Sequence, residues 1–117
     1  MILNLTPRVI RIYATDRPDG IDDLDLGLRQ TLDPESQYAV LDAIPVGSTY
    51  RDDIPVQLVE YGHADHLPAP RDGVSYVVAR EVALSLAPRR SDLLIPYREV
   101  RTSDGTVIGC RELAQPV

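Results

Sequence analysis

Apolar and polar residues alternate in short runs along the chain, and this pattern predicts β-strands. Four runs rich in β-branched residues are predicted as strands, at residues 9–13, 37–44, 54–61 and 74–78. Residues 15–35 are dense in Asp, Pro and Gly, which predicts a loop with one short strand near residues 26–32. A Pro-rich loop is expected at residues 63–73. Most of the regular structure should therefore be sheet.

The apolar period changes after the fourth run. Val78, Val82 and Leu86 are spaced four apart, which predicts one short helix at about residues 78–87. Pro88 should end this helix because proline cannot continue the hydrogen-bond ladder.

Near the C-terminus, Asp104-Gly105 separates two strand-like runs at residues 97–102 and 106–113. Asp-Gly between such runs predicts a C-terminal hairpin. The expected fold class is α+β, a small, mostly antiparallel twisted sheet or part-closed barrel, in a single domain over residues 1–117.

Composition narrows the functional classes. The net charge is −6 and every basic residue is an arginine, so the chain lacks the basic surface of a nucleic-acid binder. No apolar run approaches the roughly 20 residues that cross a bilayer, so we expect no membrane partner. The N-terminal residues do not resemble a signal peptide and the single cysteine excludes an internal disulfide, which favours a cytoplasmic location.

The sequence contains no recognised catalytic or cofactor motif, and we expect neither a catalytic residue nor a cofactor. His63, Asp65 and His66 form the one cluster with metal-ligand chemistry. Because Asp65 and His66 are adjacent and no further ligand follows, a solvated loop is the preferred interpretation. The acidic residues between positions 19 and 25 lack calcium-loop spacing, and Cys110 lies in a predicted strand and should be buried.

Several polar residues are candidates for binding a phosphate or a carboxylate, because guanidinium groups donate hydrogen bonds in a rigid fork. The alternative for each arginine is a surface ion pair with the abundant aspartates. The candidate ligand-binding residues are Asn4, Thr6, Arg8, Arg71, Arg80 and Arg111.

The opening Asn4-Leu5-Thr6-Pro7 resembles a family of short uncharacterised phage and bacterial proteins whose N-terminus usually reads Asn-Leu-Thr-Pro-His. The resemblance continues in Ile54-Pro55-Val56, Tyr61-Gly62, Leu67-Pro68-Ala69-Pro70, Gly73, Tyr76-Val77-Val78, Val82-Ala83, residues 90–94, Asp104-Gly105 and residues 108–111. It covers most of the chain outside residues 15–32. Arg8 stands where the family usually has His.

The resemblance implies a compact α/β domain of phage, prophage or mobile-element origin, without a catalytic residue to carry over. The expected function is a non-catalytic binding protein for a small phosphate- or carboxylate-bearing ligand or for a host protein. One alternative is a small hydrolase or metal-dependent enzyme that uses the loop of His63, Asp65 and His66, and another is a structural or virion-associated role. A homodimer through a sheet edge is also expected.

Overall fold

The computed structural model describes all residues, Met1–Val117, and contains eight strands and one helix. The strands are β1 (Ile2–Asn4), β2 (Ile10–Tyr13), β3 (Leu28–Leu32), β4 (Val40–Arg51), β5 (Ile54–Asp65), β6 (Ser75–Val77), β7 (Leu93–Arg101) and β8 (Val107–Ala114). The helix, α1, spans Arg80–Leu86 and is shorter than expected from the apolar period. No helix is long and apolar enough to cross a membrane.

Six strands form one sheet in the order β1-β6-β7-β8-β2-β3. A bridge between Asn4 and Pro34 joins the end of β1 to the chain just after β3. The sheet is therefore nearly closed and barrel-like. With one short helix packed outside it, the molecule is a small α+β fold, as the alternating runs predicted.

The pairing within this sheet differs from the mostly antiparallel arrangement that we expected. β1 with β6, β6 with β7, and β2 with β8 are parallel, whereas β2 with β3 and β7 with β8 are antiparallel. β7 and β8 are joined by residues 102–106, a longer connection than a two-residue Asp-Gly turn. Apolar alternation marks a strand but does not specify which other strand pairs with it, so the parallel ladders have no sequence signal.

β4 and β5 form a second, two-stranded sheet, which we call the arm (residues 40–65). Each strand has twelve residues and would extend about 40 Å. The strands reverse at Asp52 and Asp53, both with positive φ (48° and 63°), as a two-residue hairpin turn of the right twist requires. The radius of gyration is 17.3 Å, against about 13 Å for a compact chain of this length, because the arm projects from the body.

The prediction of a loop over residues 63–73 is wrong for residues 63–65, since β5 continues through Asp65. The strand predicted to end at residue 44 likewise continues to Arg51. Pro45, Gly47 and Gly62 weaken the alternation in these stretches, but the structure accommodates them beside β-bulges at residues 42–43 and 45–47.

The core consists of two clusters on opposite sides of the six-stranded sheet. The larger lies between the sheet, α1 and the base of the arm, and consists of Leu5, Ala39, Ala64, Val74, Tyr76, Val78, Val82, Ala83, Leu86 and Leu93. The smaller lies inside the curved sheet and consists of Ile10, Leu32, Val77 and Cys110. Adjacent residues of β6 face opposite clusters, as the two-residue period of a strand requires.

The side chain of Asn4 is buried and uses its full hydrogen-bonding capacity. Its Nδ2 donates to the carbonyl oxygens of Arg8 (2.7 Å) and Leu32 (2.9 Å). Its Oδ1 accepts from the backbone N–H and the hydroxyl of Thr6 (2.9 and 2.7 Å). An amide has two donors and two acceptor lone pairs, so none of them is left unpaired. Asn4 thus joins β1, the segment leading into β2, and the end of β3.

Acidic residues of the segment before β3 hold it to the turn between β7 and β8. Asp19 accepts hydrogen bonds from Arg101 N–H (3.0 Å) and Arg111 Nη2 (2.9 Å). Both bonds lower the pKa of Asp19, and the bond from the Arg101 N–H makes the larger contribution. Asp22 accepts from both the N–H and the hydroxyl of Ser103 (2.9 Å each). Asp19 and Asp22 are therefore partners of the protein's own backbone and side chains.

We expect Asn4→Ala to destabilise the fold by about 3 kcal/mol, because it leaves buried donors and acceptors of three segments without their partner. Urea unfolding followed by circular dichroism measures this change. Gln37→Ala, which removes an exposed amide, should change the stability by well under 1 kcal/mol. Equal, small effects of both substitutions would show that the Asn4 network does not hold the sheet closed.

Gly109 lies where β8 passes closest to β2, and Gly109→Ala should destabilise the protein by about 3 kcal/mol or more. A β-carbon there would collide with the carbonyl oxygen of Arg11 and lie 2.8 Å from Cε2 of Tyr13. At Gly47 the added carbon would meet only Leu58 Cδ1, at 3.5 Å. Gly47→Ala is therefore the matched control, and comparable thermal midpoints for the two variants would contradict the prediction.

Candidate functional site

The arm carries large apolar side chains that remain exposed to solvent. Exposed fractions are 45% for Ile44, 56% for Val46, 71% for Tyr50, 62% for Ile54, 45% for Leu58, 37% for Val59 and 53% for Tyr61. Of the other elements, only α1 packs appreciably on the arm. Contiguous exposed apolar surface on a folded protein marks an interaction site.

The register places these side chains on both faces of the arm. Leu58 pairs with Gly47, and the alternation puts Ile54 on the same face as Leu58. Tyr50 pairs with Pro55, and the same alternation puts Val59 and Tyr61 on the opposite face. A solvated ribbon would normally keep at least one polar face, so the arm has the surface of an element that is covered on both sides.

The edges of the arm are protected against pairing with further strands. Pro45 lies in β4 and Pro55 in β5, and proline cannot donate a ladder hydrogen bond. The two bulges twist the ribbon and interrupt its regular edge. Side chains on the faces, rather than backbone groups on the edges, are therefore the groups that the arm offers to a partner.

Charge is also concentrated on the arm. Residues 40–65 carry five acidic residues and one arginine, so they contribute −4 of the net charge of −6. The acidic positions are Asp42, Asp52, Asp53, Glu60 and Asp65. The arm thus combines apolar faces with an acidic periphery.

An open cleft of about 620 Å³ lies where the arm meets α1 and the N-terminal segment. Apolar residues dominate its lining, including Leu5, Tyr38, Leu41 and Tyr61. Glu81 is the only charged residue that lines it. The cleft is therefore continuous with the apolar surface of the arm and lacks a cationic group that could hold a phosphate.

Of the candidate ligand-binding residues, Asn4 and Arg111 have their polar atoms occupied within the protein, and the hydroxyl of Thr6 is also used, since it donates to Oδ1 of Asn4 (2.7 Å). The amide of Asn4 uses all its donors and acceptors in the hydrogen bonds that join β1 to the segment before β2 and to the end of β3. The guanidinium of Arg111 donates to the carbonyl oxygens of Arg17 (2.6 and 2.9 Å) and Glu99 (2.8 Å), and to Asp19 (2.9 Å). Arg111 thereby fastens the loop after β2 to the β7–β8 pair.

The four candidates other than Asn4 and Arg111 are not brought together. Thr6 and Arg8 line a second cleft, of about 530 Å³, at the mouth of the curved sheet, together with Arg11 and Glu99. Arg71 is exposed in the loop before β6, and Arg80 is exposed at the first residue of α1. The binding of a small anion by these residues stays a prediction, and Thr6 with Arg8 is the part of the set that a single cleft contains.

The structure places the histidines at separate positions. His63 lies in β5 directly opposite Asp42 of β4, and its Nε2 is 3.4 Å from Oδ1 of Asp65. Ligand atoms of Asp42, His63 and Asp65 all lie within 4.8 Å of one another. His66 lies beyond the end of β5 with a positive φ of 63° and lines a shallow depression with Tyr38. Asp42, and not His66, is therefore the third member of this group.

Cys110 is fully buried in the cluster inside the sheet, as expected from its position in a strand. Burial raises the pKa of its thiol, which disfavours the nucleophilic thiolate. Cys110 thus has a packing role in the smaller core cluster.

Sequence reasoning missed the two features that distinguish this surface. Asp42 was not singled out because its proximity to His63 depends on the register of β4 with β5. The sequence pattern predicts two ordinary strands here, although Val46 and Tyr50 continue the apolar pattern past residue 44, the expected end of the first strand. The sequence signal that could have revealed the arm is the presence of apolar residues on both faces of the two strands.

Comparison of the chain with protein-family models, with curated proteins and with solved structures found no match. The resemblance of the N-terminal segment to short phage and bacterial proteins therefore stays a prediction.

Proposed function

We propose that this is a non-catalytic binding protein that uses the arm to hold a partner protein. The observation that supports this proposal is the exposure of large apolar side chains on both faces of the arm. A host protein was one of the two partners expected from the sequence. The lining of the base cleft, apolar with one acidic residue, favours a protein over a small anionic ligand.

The exposed tyrosines and the acidic residues of the arm indicate what kind of protein surface would bind it. Tyrosines are enriched among residues that dominate binding energy, and Tyr50 and Tyr61 present large rings of which more than half is exposed. The acidic periphery calls for basic residues around the apolar contact. The partner therefore offers an apolar groove rimmed by arginine or lysine that encloses the arm on both faces.

A second copy of this chain fits the arm less well. Two arms packed side by side would bring together two ribbons of net charge −4 each, and like charges across an interface are unfavourable. The remainder of the chain has a net charge of −2, so it is not basic overall. Charge complementarity thus favours a different protein over self-association.

We expect two double variants of the arm, one for each face, to lose partner binding while remaining folded. Ile54→Thr with Leu58→Thr alters one face, and Val59→Thr with Tyr61→Thr alters the other. Threonine retains a β-branched side chain suited to a strand, and the altered residues are exposed. The matched control is Leu26→Thr with Val107→Thr, two residues of similar exposure outside the arm.

The measurement has two stages. Immobilised wild-type protein captures candidates from host extract, and each candidate is then purified and titrated against all variants by calorimetry. Each arm variant should weaken binding by about tenfold or more, corresponding to about 1.4 kcal/mol. The control should retain wild-type affinity, and added salt should weaken the complex.

Two results would overturn the proposal. One is a purified complex that the arm variants leave unchanged, which would place the binding surface elsewhere. The other is a wild-type homodimer in light scattering that the arm variants convert to monomers, which would make the arm a self-association element.

A further inference from the structure

We infer that Asp42, His63 and Asp65 form a binding site for a divalent transition-metal ion at the base of the arm. One imidazole and two carboxylates converge there from two strands that pair in a fixed register. The inference does not depend on a partner protein, because the ligands belong to this chain and lie beside, not within, the apolar positions of the arm.

The scaffold brings the three side chains to one face. His63 and Asp65 are two residues apart in β5, so the strand period points them the same way. Asp42 is the cross-strand partner of His63, and such pairs have β-carbons about 4.5–5.5 Å apart. The bulge between Asp42 and Ala43 sets this pairing. Ala64, between the two β5 ligands, is buried against the core and fixes which way the strand faces.

The distances suit a single ion. Two ligands bonded at about 2.0–2.1 Å to a tetrahedral metal lie about 3.4 Å apart, and His63 Nε2 lies 3.4 Å from Asp65 Oδ1. The three ligand atoms are within 4.8 Å of one another, so small side-chain rotations bring Asp42 to the same separation. The side chains of His63 and Asp65 are 62% and 54% exposed and are therefore free to make this adjustment.

The carboxylates are not neutralised by the protein's own cations. None of the ion pairs joins an arginine to Asp42 or Asp65. The nearby Arg89 donates to the carbonyl of Gly62 (2.7 Å), and Arg90 forms a two-bond pair with Asp92 (2.9 and 2.8 Å). A cation from solution therefore meets two carboxylates that lack an arginine partner.

The donor set indicates which ion binds. Imidazole with carboxylates suits zinc, cobalt, nickel or manganese, whereas magnesium and calcium prefer oxygen ligands alone. Affinity should follow the usual order, with zinc and nickel above manganese. Three protein ligands leave at least one coordination position open to solvent. The ion would also tie β4 to β5 where the arm leaves the body.

The test titrates zinc into the untagged protein by calorimetry and follows cobalt binding by its visible absorption. We expect one ion per chain and no binding of magnesium under the same conditions. Loss of even an outer-shell partner costs metal affinity roughly 10–100-fold, so Asp42→Asn and His63→Ala should each cost at least that. His66→Ala removes the chain's other histidine and should leave the affinity unchanged.

Circular dichroism checks that each variant is folded, and Asp65→Asn provides a second near-isosteric substitution. The inference fails if wild-type protein does not bind zinc, or if Asp42→Asn binds it as wild type does. It also fails if His66→Ala weakens binding as much as His63→Ala, because the ion would then sit in the loop after β5.

Discussion

Four hydrogen bonds of one buried amide hold the ends of the curved sheet together. Asn4 donates to the carbonyl oxygens of Arg8 and Leu32 and accepts twice from Thr6, while its backbone pairs with Val77 and bridges to Pro34. Closing a sheet removes its unpaired edges. The two end strands of this sheet, β1 and β3, do not form a hydrogen-bond ladder with each other, and the side chain of Asn4 joins them instead. The small cluster inside the sheet depends on that closure, since without it the cluster would face water.

β4 and β5 pair only with each other and are not part of the nearly closed sheet, and this separation creates the arm. An isolated two-stranded ribbon is marginal in water. The arm is supported at its base, where Leu41 and Ala64 pack on the larger core cluster against α1. Beyond that base its apolar faces have no intramolecular partner, so the surface available for binding follows directly from the topology of the sheet.

The charges divide into those that stabilise the body and those that remain free. Asp19 and Asp22 accept hydrogen bonds across 81 to 92 residues of sequence, and Arg111 of β8 donates to both the loop after β2 and β7. Arg111 is a candidate anion-binding residue from the sequence, but its guanidinium is occupied by acceptors of the protein itself. On the arm, by contrast, no ion pair joins a carboxylate to an arginine, which leaves Asp42 and Asp65 available to the proposed metal ion.

The sequence by itself determined the local features: predominance of strands, a short helix near Val82, the strand near Leu28–Leu32, burial of Cys110 and the absence of a membrane-spanning helix. Each of these follows from the period and polarity of neighbouring residues. Only the tertiary structure decided that β1 pairs with β6, that Asn4 closes the sheet, that the arm projects, and that Asp42 lies opposite His63. These features depend on pairing between distant segments. A strand's alternating pattern specifies which side is buried but not which strand lies beside it.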